Sequence, residues 1–227
     1  MSTGSPPAGL ILTGAADPVR LHAMPPPSRP RSPLLIGFGL AALLLVVLIQ
    51  LDLVEYAYGR IGIGSGYVLA VLLASLVGSG INLPVGRLPA SNGARGTLLA
   101  VNLGGAVIPT LLSVYLLAMN RPVAGRALLA VAVVAIAVHL MARPVPQFGI
   151  AVPIFVPPLV AAAAALLLAS ANAPPVAYVA GTLGTLIGAD LTNLRQLGSL
   201  GAPIASIGGA GTFDGIFVTG ILAVLLA

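Results

Sequence analysis

Two aspartates, Asp190 and Asp214, stand inside long apolar stretches of this sequence. An ionised Asp at mid-membrane costs roughly 2.5–3.5 kcal/mol, so two would cost ~5–7 kcal/mol. That is comparable to the whole stability of many folded proteins. Such a pair persists where the acids share a proton, line a wet cavity or bind a cation. Two close carboxyls cannot both ionise cheaply, so one keeps its proton while the other acts as a base. An arrangement of this kind activates water. The stretches follow one another and must run antiparallel, and Ala202 lies midway between the acids. A turn there puts them at equal depth. A turn near 197–198 offsets straight helices by about 12 Å at ~1.5 Å per residue. Unwinding of Ile207 to Gly211 would absorb part of that offset.

Neutral groups on the same and neighbouring stretches are candidates to line the site: Asn82, Asn102, Thr185 and Asn193, with Gly209 and Gly211 admitting backbone and water. Asn193 is three residues beyond Asp190 and is expected to reach it on the same helix face. These polar residues also suit a carrier, in which Asp190 and Asp214 titrate or hold a coupling ion. Taken singly, each Asn or Thr fits an interhelical bridge of ~0.6 kcal/mol. His139 is expected at a helix end near the membrane surface. His22 lies in the N-terminal tail. With two separated histidines and no cysteine, no metal site is expected. No cofactor is expected either, because the Gly208–Gly211 run lacks the Lys-Ser/Thr of a phosphate-binding loop.

The elements that must position these residues follow from composition. Of 227 residues, 58% are hydrophobic and 7% charged, against about 25% charged in soluble domains. Mean hydropathy is +1.09. One soluble core cannot hide that much apolar surface. The alternating pattern of a membrane β-barrel is absent. An all-α polytopic transmembrane bundle is therefore expected, with Gly-rich and in places broken helices. Spans are read at 34–51, 63–83, 97–118, 124–142, 153–171, 174–192 and 203–226, each near the ~20 residues that cross the bilayer. Seven is the count, bracketed by six and eight. Residues 1–33 are Pro- and Arg-rich and read as a disordered tail before the membrane domain at 34–227.

The net charge of +5 rests on arginines scattered between apolar runs, which sets topology and makes no nucleic-acid surface. An inside N-terminus puts Arg20, Arg29, Arg31, Arg87, Arg95, Arg143 and Arg195 in the cytoplasm and leaves Arg60, Arg121 and Arg126 outside. Gly62/Gly66, Gly184/Gly188 and Gly211/Gly215 have the four-residue spacing of close helix seams.

The runs Gly181-Thr182-Leu183-Gly184-Thr185-Leu186-Ile187-Gly188-Ala189-Asp190, Leu200-Gly201-Ala202-Pro203 and Gly208-Gly209-Ala210-Gly211-Thr212-Phe213-Asp214-Gly215 carry a resemblance. With Ile81-Asn82-Leu83-Pro84 and Val101-Asn102-Leu103-Gly104-Gly105, they resemble an uncharacterised family of prokaryotic integral membrane proteins. The resemblance covers about 65–227 and implies a bacterial or archaeal plasma-membrane protein with no assigned activity. The two acids are also similar to those of presenilin and signal-peptide-peptidase type intramembrane aspartyl proteases, which carry one Asp on each of two neighbouring spans. That likeness implies Asp190 and Asp214 as a catalytic dyad acting on a membrane-embedded peptide. Here Thr212 and Phe213 intervene between Gly211 and Asp214, and Ala189 precedes Asp190 where those proteases carry Tyr. A proton- or cation-coupled transporter or channel moving a small ion is the alternative. A non-catalytic membrane factor is the third reading.

Overall fold

A computed structural model of the chain describes residues 33–50, 52–89, 96–145, 149–197, 203–209 and 215–227. The tail expected over 1–33 lies outside them except for Pro33, which opens the first helix. That helix, α1 (Pro33–Gln50), is a Leu/Val/Ala segment without a polar face. It is followed by α2 (Leu53–Arg60) and α3 (Ser65–Ser79), which meet at 109°. The bend falls at Ile61 to Gly64, where Gly62 takes a left-handed φ of +86°. A Cβ on Gly62 or Gly66 would touch nothing within 4 Å. The Gly62/Gly66 pair is therefore a turn and its exit, and among the described residues no helix packs on it as a seam.

Two helical stretches are long and apolar enough to cross a membrane, Arg121–Met141 and Val156–Leu197. The first contains α5 (Ala124–Met141). The second doubles back at Ser170–Asn172, so α6 (Val156–Ala169) packs along α7 (Ala173–Thr185). Pro157 and Pro158, like Pro174 and Pro175, stand in the first turns of these helices, where a missing N–H costs nothing. With α4 (Ile108–Met119) and α9 (Gly215–Leu226), α5 and α6 surround α7, which is buried on nearly every side. A helix apolar all round belongs at such a centre. Small residues make the approach possible. A Cβ on Gly184 would lie 2.5 Å from Val134 Cβ, and one on Gly188 would overlap the Ala135 carbonyl. The Gly184/Gly188 spacing is thus a seam between α5 and α7.

The fold is mostly helical rather than all-α, and among the described residues two helical stretches qualify as membrane spans. Strands β1 (Asn82–Leu88), β2 (Thr97–Asn102) and β5 (Ile204–Ile207) form one sheet in the order β1-β2-β5. β1 and β2 are antiparallel, with a bulge between Pro84 and Gly86, while β2 and β5 are parallel. A small hairpin pairs β3 (Arg143–Val145) with β4 (Gly149–Ala151). The expected spans at 97–118 and 203–226 therefore begin as strands, and 63–83 runs into one. Pro84 and Gly86 oppose helix on one side, and Pro203 with Gly208 and Gly209 brackets the other.

Asn102 joins the sheet to the helices. Its Nδ2 donates to the Ser79 carbonyl at 2.7 Å and to Asn82 Oδ1 at 3.1 Å, while its Oδ1 accepts from Gly105 N at 2.8 Å. It is fully buried, and every bond offsets a polar group that would otherwise be stranded. Beyond it the chain makes a π turn, Leu103–Val107, before α4.

Candidate functional site

Asp190 ends a second π turn, Leu186–Asp190, that widens the last turn of α7. In a regular helix Asp190 would stand about 140° around the axis from Thr185, five steps of ~100°. The i→i+5 turn holds more residues per revolution, which swings Asp190 back towards the Thr185 face. Both residues line one cavity of about 300 Å³. Thr219, Gly215 and Ile216 of α9 form another wall, and Ile150 to Ile154 with Pro157 close it with apolar surface.

The carboxylate is anchored from the sheet. Asp190 Oδ2 accepts the Gly208 N–H at 2.8 Å, directly after β5. Gly208 has φ +79° and Gly209 φ +88°, a left-handed pair that reverses the strand and aims the amide at the acid. Gly208 also sits against the π turn that continues β2, where a Cβ would lie 2.6 Å from Ala106 N. The β2–β5 pairing thus sets where the Asp190 anchor stands.

The remaining sequence candidates divide. Thr185 joins Asp190, and its Oγ1 is buried without a hydrogen-bond partner among the described residues. Gly209 follows the anchoring amide. Asn193 sits below the cavity and turns its amide nitrogen to the carbonyls of Gly188 (3.1 Å) and Ala189 (2.9 Å). The bond expected from it to Asp190 is replaced by closure of the widened helix end. Asn82 and Asn102 belong to the sheet knot, where Asn82 Oδ1 also accepts from Ser206 Oγ. Asp214 and Gly211 lie outside the described residues. Gly215, the next residue after Asp214, is in the cavity wall.

His139 is exposed at the end of α5, its Nδ1 2.9 Å from Thr192 Oγ1. Thr192 in turn donates to the Gly188 carbonyl. Among the described residues no three His, Asp or Glu side chains gather. Residues missed in the sequence are Gly208 and Thr219. A glycine pair after the short run Ile204–Ile207 was the available signal for the first, whereas nothing local marked the second.

No curated protein and no solved structure matches the chain. Residues 76–226, which hold the sheet, the Asn102 knot and both acids, match the family described as Protein of unknown function (DUF1614), and the chain belongs to that family.

Proposed function

We propose that this is an intramembrane peptidase of the di-aspartate type, with Asp190 and Asp214 as its acids. The observation that carries the reading is one cavity walled by both Asp190 and Gly215, the neighbour of Asp214. The sheet adds support. Among the described residues β5 pairs with β2 alone, which suits addition of an extended peptide at its other edge beside the Asp190 anchor. In this reading the two carboxyls hold one proton between them. The ionised acid takes a proton from water as its oxygen attacks the scissile carbonyl carbon, and the protonated acid passes its proton to the carbonyl oxygen. Collapse of the tetrahedral carbon breaks the C–N bond, and a proton goes to the leaving nitrogen. The apolar wall from Ile150 to Pro157 suits flanking side chains of a membrane peptide.

The purified full chain, reconstituted in vesicles, is expected to cleave a helical, glycine-containing membrane peptide. Asp190→Asn and Asp214→Asn should each lower the rate by at least ~100-fold, the low end for removing an acid or base. Cleavage that survives Asp214→Asn would sink the dyad. Variants that leave cleavage at background but shift pH- or cation-dependent flux would move the assignment to a carrier.

The proposed orientation has the N-terminus and the Asp190 end at the cytoplasmic face of a bacterial inner membrane. Arg60 Nη1 donates to the Val224 carbonyl at 2.7 Å, so the α2 end and the chain end share one face. A reporter after Ala227 should therefore report as periplasmic, and one at Asn92 as cytoplasmic. A cytoplasmic signal after Ala227 would reverse or break this topology.

A further inference from the structure

A line of buried hydroxyls leads away from the Asp190 cavity through the centre of the bundle. On α7 it comprises Tyr178, Thr182 and Thr185, spaced four and three residues apart and so on one helix face. Thr185 and Thr219 open onto the cavity with Asp190. Thr182 is fully buried, one turn further from the cavity, at the contact with α9. Gly220 lets α9 approach closely there, since a Cβ on it would lie 2.6 Å from Thr182 Oγ1 and 3.1 Å from the Tyr178 ring. Tyr178 is next, and its hydroxyl lies within electrostatic reach of both Thr182 and Tyr58. Tyr58 comes from α2, whose exposed face carries Glu55 and Tyr56, with Arg60 half-buried beside them.

These hydroxyls are not bonded as isolated hydroxyls in helices usually are. A buried Ser or Thr commonly donates to the carbonyl four residues back. Ser113 does so to Pro109, and Thr192 to Gly188. Thr182 Oγ1, Thr185 Oγ1 and Tyr58 Oη make no close hydrogen bond among the described residues, and Thr182 and Tyr58 stand within longer hydrogen-bonding reach of the Tyr178 hydroxyl. A fourth such atom, Ser75 Oγ, is on α3 and outside the line. Buried polar atoms without a close partner are places where ordered water bonds, each water holding two to four of them. The cavity at one end has room for roughly ten waters at ~30 Å³ each.

The line also has the length and chemistry of a crossing path. From Tyr178 to Asp190 is twelve residues, about 18 Å of helix, and Tyr58 extends it further towards the far side of a ~30 Å layer. Beyond Glu55 and Arg60 at its Tyr58 end, the helices that flank it bring no buried charge among the described residues. α6 and α9 contain no ionisable residue, α5 carries only Arg126 and His139, both exposed, and α4 contributes none but the exposed Tyr115. Tyr58, Tyr178 and Asp190 are the titratable groups on the line. A hydroxyl both accepts and donates, so alternating hydroxyls and waters can pass a proton without any ion entering.

We propose that Tyr58, Tyr178, Thr182, Thr185 and Thr219, with water between them, form a proton path that connects Asp190 to the opposite face of the membrane. Asp190 is the inner acceptor. Tyr58, 1% exposed, is the outer gate, and its burial keeps the path slow. This assignment needs Asp190 but not Asp214, and it stands apart from the peptidase reading.

The test uses the full chain in phosphatidylcholine/phosphatidylglycerol vesicles with a pH dye inside. A valinomycin-clamped potassium gradient makes the interior negative. Vesicles with protein are expected to acidify several-fold faster than protein-free ones. Thr182→Val, Tyr58→Phe and Asp190→Asn should each return the rate to that of protein-free vesicles, and Thr182→Ser, which restores a hydroxyl, should conduct. Thr182→Val that elutes as wild type and conducts as wild type would overturn the path. If Thr182→Val fails to fold, unchanged conduction in Tyr58→Phe overturns it equally. Wild-type vesicles no leakier than lipid alone would also end it. Flux that depends on Thr182 without any peptide cleavage would support the path and count against the peptidase.

Discussion

Gly104→Val is expected to prevent recovery of a monodisperse, folded protein. Gly104 lies in the π turn after β2, pressed against α3. A Cβ there would overlap the Ser75 carbonyl oxygen and the Ser79 amide nitrogen, and would lie 2.8 Å from the Gly78 carbonyl carbon. The contact is reciprocal, since a Cβ on Gly78 would meet Gly104 N at 2.9 Å. All of these are backbone atoms and cannot rotate aside. Overpacking against side chains costs ~1–3 kcal/mol. A block against backbone on two elements should exceed ~4 kcal/mol, a large part of the ~5–15 kcal/mol that holds a protein together. The Asn102 bonds to Ser79 and Gly105 flank the site and would open with it. Gly125→Ala is the control, because nothing lies within 4 Å of that position. Size-exclusion profiles and melting curves in detergent read the difference. Equal melting temperatures for Gly104→Val and wild type would refute the close-contact account.

Gly208→Ala should strike the site harder than the fold. Its φ of +79° strains an L-residue by ~1–2 kcal/mol. The added Cβ would lie 2.5 Å from Ala106 Cβ and 2.6 Å from Ala106 N, a further ~1–3 kcal/mol. The two together amount to ~2–5 kcal/mol, concentrated at one turn. The chain relieves that load by withdrawing Gly208 from the π turn, which pulls its N–H away from Asp190 Oδ2. We expect cleavage and proton flux to fall to background in Gly208→Ala, with a smaller loss of melting temperature than in Gly104→Val. Gly86→Ala, in open space on β1, should match wild type in both. Retention of full activity by a folded Gly208→Ala would show that the anchor is dispensable.

The longer helices were legible because their signals are local. The run read at 124–142 is α5 (Ala124–Met141), and that at 153–171 contains α6 (Val156–Ala169). The stretch at 174–192 contains α7 and its π turn. Long apolar runs with proline confined to first turns admit one regular structure in an apolar environment. The strands were not legible. Ile204-Ala-Ser-Ile207 is four residues, too short for a period of two to be told from part of a helix. Its partner β2 lies about a hundred residues earlier in the chain, and no local pattern encodes that pairing.

The sequence alone determined that the chain is an apolar, mostly helical protein with few charges, and it singled out Asp190 and Asp214 as candidate acids. Only the tertiary structure decided which polar groups meet Asp190. Asn82 and Asn102, equal candidates by composition, went to a structural knot, and Asn193 went to a helix end. Thr219 and Gly208 came to Asp190 from far along the chain. The physical reason is that composition and periodicity select a segment's environment and its buried face. The depth and angle of one side chain depend on a π turn that shifts the helix register, on glycine contacts that set how closely helices approach, and on a strand pairing formed only when the whole chain has folded.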